Sequence, residues 1–165
     1  MTNEPSSPVC YAGDADDVYM GYASRDEILA SLNALLEAER AGARVALASA
    51  RAKGDSAYRE LMLAVRADEA RWCAMLSRQI KRLGGTPSRK TGSFHAKALA
   101  IADRFDRLAF LNRGQAWVVR QLETLMPRVR DDALHADLAE MLESHRGNID
   151  RASAVLEANP ASERE

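Results

Sequence analysis

Two cysteines, Cys10 and Cys73, are too few and too far apart for a disulfide framework or a Cys-x-x-Cys redox or zinc motif. Aromatic residues make up 5% of the chain, and its few glycines and prolines collect in a handful of places, which argues against a sheet protein built on aromatic strands and tight turns. No apolar run is long enough to span a bilayer, and the N-terminus lacks the basic and apolar regions of a secretion signal. A formal net charge of -1 removes any global electrostatic reason to expect nucleic acid or an anionic membrane as partner. No nucleophile elbow, phosphate loop or dinucleotide fingerprint can be written. The expectation is a cytoplasmic protein whose partners include neither nucleic acid nor membrane.

What is present is helical in character. Of the 165 residues, 47% are hydrophobic, and Ala, Leu, Arg and Glu dominate, so the chain suits one all-α domain with a substantial core. Residues 1–22 mix Pro, Ser and Gly with Asp14, Asp16 and Asp17 and are read as a flexible acidic tail, with Tyr19, Met20 and Tyr22 anchoring its end. Residues 23–158 form the predicted bundle, and 159–165 a polar C-terminal tail. Ser24 and Glu27 make a capping box, and a first helix follows over about 24–53. Its seam is Ile28 or Leu29, Leu32, Leu35 with Leu36, Glu39, Ala43, Ala46 and Ala50, while Glu37 falls on the solvated side.

Gly54 and Asp55 turn the chain into an antiparallel second helix that ends at Gly84 and Gly85. Met62, Val65, Trp72, Leu76, Ile80 and Leu83 form its seam, and Glu69 interrupts it. A long connection, with a short helical piece near 96–102, gives enough chain to cross the roughly 40 Å length of the bundle. The third long helix, about 103–126, carries Phe105, Leu108, Leu111 with Asn112, Gln115, Val119, Leu122 and Met126. The fourth, about 131–157, carries Leu138, Met141 with Leu142, His145, Ile149, Ala152 and Leu156. Gln115 and His145 interrupt these seams as the glutamates interrupt the first two. When Glu39 is placed on Gln115, the two hairpins superpose weakly, as a duplication would leave them.

Four seams with one central polar residue each bring Glu39, Glu69, Gln115 and His145 together. With the hairpin pairing and the crossover, this pattern resembles the ferritin-like superfamily of four-helix bundles over about 24–157. The resemblance implies two antiparallel hairpins joined by a long crossover, and a di-metal site with a Glu on two helices and Glu-x-x-His on the other two. Glu39 and Glu69 match the first two ligand positions and His145 the last. Trp72 stands where a His belongs, Gln115 where a Glu belongs, and Leu142 where the last motif's Glu belongs. The resemblance therefore implies a degenerate branch of unknown function that has lost di-iron chemistry and serves as a binding or structural module, with Gln115 and Trp72 in a core polar network. The alternative is a protein holding a single divalent metal, iron, manganese or zinc, on Glu39, Glu69 and His145, with possible oxidoreductase activity.

Buried carboxylates demand compensation. One divalent ion on the triad supplies it, as does an imidazolium at His145 paired with the carboxylates, and a third option turns one glutamate out of the core. Away from the seams, Phe110 and Trp117 are expected to mark either a homodimer surface or a patch covered by the crossover or the N-terminal tail. His95 and His135 are expected in solvent, as is the basic stretch from Arg78 to Arg107. An apolar-ligand carrier would need a cavity beside Trp72.

Overall fold

The computed structural model describes residues 16–52 and 55–161. All regular structure among them is helical: α1 (Arg25–Arg51), α2 (Ser56–Arg82), a short α3 (Phe94–Leu99), α4 (Arg104–Leu125), a 3-10 turn at Met126–Arg128, and α5 (Asp132–Glu157). Each long helix starts on a side-chain cap that satisfies otherwise orphaned amides. Ser24 accepts from Glu27 N–H and Glu27 from Ser24 N–H, closing the expected capping box, while Asp55, Asp103 and Asp131 cap the other three. Gly84, at φ +74°, takes the left-handed conformation that stops α2.

Contacts at the bundle ends fix its topology. Tyr58 Oη, at the start of α2, donates to the Arg104 carbonyl at the start of α4, so those helices run parallel. At the opposite end, Ala23 N–H donates to the Arg128 carbonyl, and Arg82 makes two 2.9 Å bonds to the Asp131 carboxylate. Thus α1–α2 and α4–α5 are antiparallel hairpins, α1 packs beside α4, and α2 beside α5. The crossover returns along α1, gripped by residues at helical spacing: Asn33 bonds Thr86 and Ser88, Glu37 accepts from Ser88 Oγ, and Arg40 donates to the Ser88 and Lys90 carbonyls. Glu37 is therefore half-buried and partnered, contrary to the solvated position its phase suggests.

Four polar side chains divide the core. On one side lie Leu32, Leu36, Trp72, Leu76, Ile80, Leu122, Leu134 and Leu138, and on the other Val45, Ala46, Tyr58, Met62, Val65, Leu108 and Leu111. Between them Glu39, Glu69, Gln115 and His145 form one layer across the bundle. Several expected seam positions shift by one residue: Val118 and Leu125 are buried and Val119 and Met126 only partly so. A helix of 3.6 residues per turn reaches the same face by a step of three or of four, and close packing chooses between them.

Of the N-terminal tail, 1–15 lie outside the described residues. Its described end is not held by Tyr19 or Met20, which are exposed, but by buried Ala23 and a 2.7 Å ion pair between Asp17 and Arg130. Phe110 is covered by the crossover, its ring stacked on Phe94 at 4.8 Å, so the proposed homodimer surface keeps only Trp117 of the aromatic pair. Gly114 makes that docking possible, because a Cβ there would lie 2.7 Å from Phe94 Cζ. Among the described residues no helix is long and apolar enough to cross a membrane.

Candidate metal centre

Each central residue of the seams turns inward. Glu39, Glu69, Gln115 and His145 are all at most 4% exposed, and ligand atoms of Glu39, Glu69 and His145 lie within 4.8 Å of one another. The polar contacts follow the two diagonals of the bundle. His145 Nε2 on α5 meets Glu39 Oε1 on α1 at 3.1 Å, and Gln115 Nε2 on α4 donates to Glu69 Oε1 on α2. Helices that are not packing neighbours are thereby joined through side chains. The option that turns a glutamate out of the core is not what the fold adopts.

The imidazole is oriented by its own helix. His145 Nδ1 lies 2.9 Å from the Met141 carbonyl, which can only accept, so Nδ1 carries the proton and Nε2 faces the carboxylates. Burial pushes the Glu39 carboxyl up to about 8, against a smaller lowering by its hydrogen bond with Glu69. Glu69 is raised well above the usual range, first by burial and then by the Glu39 charge, with His145 opposing. Taken as two carboxylates, the pair leaves Glu39 Oε2 buried with no partner. One proton or one cation between the carboxyl groups resolves that deficit.

Room for Glu69 comes from Gly42, one of the small residues around Glu39, with Ala38, Ala41 and Ala43, that are expected from the sequence to let a neighbouring helix approach closely. A Cβ at Gly42 would lie 2.5–2.6 Å from all three carboxyl atoms of Glu69. Gly42→Ala is expected to change stability little, since a gain of about 1 kcal/mol in helix propensity offsets displacement of the carboxyl group. For an ion held on the triad, affinity measured by competition with a chelator should fall at least about tenfold, because the displaced carboxyl group would no longer meet it.

Trp72 belongs to the layer by position and not by bonding. Its indole is buried and donates to Ser144 Oγ at 3.2 Å, so it is not a member of the Glu–Gln–His network as expected. Cys73 is half-buried, and burial followed by the nearby Glu39 and Glu69 raises its thiol to about 12, leaving it protonated and unreactive. His95 bonds the Gly92 carbonyl and His135 is exposed, both away from the layer. Arg78 and Arg82, in the basic stretch, pair with Asp137 and Asp131 on α5. A pocket of about 430 Å³ opens between α1, α4 and the crossover, beside Trp117 and not Trp72, and it reaches inward to Glu69 and Gln115.

Two antiparallel hairpins joined by a long crossover make a ferritin-like fold, here with a polar layer of two carboxylates and an imidazole. Solved structures with this fold include one described as "ferritin like, diiron-carboxylate proteins" from Bacillus anthracis str. Ames, with a TM-score of 0.71 and 18% identity over 80% of this chain and 96% of that one. That likeness is one of fold. The family model for the Domain of unknown function DUF6306 matches residues 26–154, and the chain belongs to that family. No curated protein matches it.

Proposed function

We propose that this protein holds one divalent transition-metal ion on Glu39, Glu69 and His145. The observation that carries the reading is the mutual approach of three buried donors, one of them leaving a carboxylate oxygen without a partner. Two carboxylates and one imidazole suit iron, manganese or zinc. Gly42 supplies the space the Glu69 carboxyl group needs, and the Met141 carbonyl presents His145 through Nε2. A bound ion would supply Lewis acidity or, for iron and manganese, redox capacity.

The chain's own residues perform the remaining tasks. Gln115 holds Glu69 in place, the flanking apolar clusters keep bulk water away, and the pocket beside Trp117 gives small molecules a path to the Glu69 side of the layer. A second ion has poor support: Trp72 occupies a position at which the superfamily pattern has a histidine, and Gln115 offers an amide in place of a carboxylate. This favours a mononuclear site over a di-iron centre.

The second reading, a metal-free binding or structural module, is favoured by the contacts of His145 with Glu39 and Gln115 with Glu69, which close without an ion when a carboxyl is protonated. Anaerobic equilibrium dialysis against iron(II), manganese(II) and zinc(II) separates the two. One ion per chain is expected for at least one metal. No binding up to millimolar concentration of any of them would leave the metal-free network as the only account of the layer.

A further inference from the structure

The charge of the polar layer sorts the ions it can hold. Among the described residues the buried carboxyl groups are those of Glu39 and Glu69, and no lysine or arginine is buried. His145 keeps its Nδ1 proton for the Met141 carbonyl, so it offers Nε2 as a neutral ligand. The three donors therefore supply two negative charges when both carboxyl groups are ionised.

Gln115 fixes that total. It reaches the layer from α4 and is 4% exposed, yet its side chain is an amide that cannot ionise. Its Nε2 donates to Glu69 Oε1, so the positive end of its dipole faces the carboxyl group and holds it without adding charge. Apolar clusters flank the layer on both sides, where an uncompensated charge is strongly destabilising. From outside the layer, the charge acting on Glu39 is that of Asp68, which is itself paired with Arg151 at 3.5 Å. An anion drawn from solvent through the pocket would pass Glu37 and Glu69 and meet no lysine or arginine in its lining.

We propose that Gln115 sets the charge selectivity of the layer, matching it to one divalent cation and against trivalent ions. The proposal rests on the metal reading and deepens it. Two carboxylates and a neutral imidazole balance a divalent ion, whereas a trivalent ion keeps one full positive charge in the core. By the same balance the layer resists one-electron oxidation of iron(II) or manganese(II). Lewis acidity is then the chemistry that it favours.

The test is anaerobic dialysis of the full-length protein in competition with nitrilotriacetate, with gallium(III) set against zinc(II), manganese(II) and iron(II). Gallium(III) is a small trivalent ion that neither gains nor loses an electron under these conditions. The wild type is expected to take up at least one of the divalent ions and to leave gallium with the chelator. Gln115→Glu puts a third carboxyl group at the same place, and it should raise gallium affinity at least about tenfold more than divalent affinity. Gln115→Met removes the N–H and keeps the charge, so it should still leave gallium with the chelator.

Gallium uptake by the wild type on a par with the divalent ions would overturn the proposal. So would an equal gain for both kinds of ion in a folded Gln115→Glu protein. If that variant does not fold, the wild type and Gln115→Met decide, since gallium uptake by either one sinks the charge assignment. Uptake of no divalent ion defeats the metal reading and this proposal together, whereas uptake of divalent ions and gallium alike defeats the charge assignment alone.

Discussion

Glu69→Gln is expected to make the metal-free protein more stable than the wild type at pH 9 and indistinguishable from it at pH 5. Both carboxyl groups have folded-state pKa values raised above the ordinary 4.5, Glu39 to about 8 and Glu69 in the same direction. Between the unfolded and folded values the native state holds protons that the unfolded chain has released, so stability decreases as pH rises through that window. The stabilising state is therefore fully present below about pH 4.5 and is lost as pH climbs through about 8 for Glu39, with the Glu69 contribution lost in the same direction.

Glutamine copies the protonated form of Glu69, keeping an oxygen for Gln115 and an N–H for Glu39, and it has nothing to ionise. Urea unfolding at pH 5, 7 and 9 for both proteins checks the prediction. Parallel pH profiles would show that Glu69 does not ionise at a cost in the folded state. Saturating metal should reverse the wild-type trend, because the ion displaces those protons and then holds deprotonated ligands, whereas Glu69→Gln should gain far less from it.

His145→Ala has the second large expected effect. It removes the only nitrogen ligand, and affinity for the ion should fall at least about a hundredfold. Without metal the same change leaves Glu39 Oε1 without its 3.1 Å partner and opens space in the layer, so the expected loss is about 2–4 kcal/mol. That loss should be smaller at pH 9 than at pH 5, since the contact between Nε2 and Glu39 Oε1 needs a proton that is given up as Glu39 ionises. Denaturant unfolding and dialysis on the same samples separate stability from affinity. Unchanged metal stoichiometry and affinity in a folded His145→Ala protein would remove the triad as the binding site.

The helices and the polar layer were legible because each seam is long and each polar residue interrupts it near its middle. Period alone therefore placed Glu39, Glu69, Gln115 and His145 in the core, where all four are found. Period says nothing about which helix stands opposite, so the diagonal pairing and the Trp72–Ser144 bond emerged only with the packing. Gly42 was legible as one of several small residues that admit a neighbouring helix, but what it admits, the Glu69 carboxyl group, depends on the packing of another helix. Glu37 looked solvated because the crossover that covers it has no periodicity of its own. The pocket is defined by missing volume along α1, which a sequence pattern records only as a run of alanines.

The diagonal contacts also carry a consequence for the order in which the molecule assembles. They join residues 46 and 106 positions apart, while each hairpin closes through a short turn. Local helix pairs are therefore expected to form early, with the polar layer closing when the two hairpins meet, late in folding. Substitutions at Gln115 or His145 should then leave the refolding rate nearly untouched and appear almost wholly as faster unfolding. An ion bound in the layer would act on the same side of the barrier, lengthening the lifetime of the native state without hastening its formation.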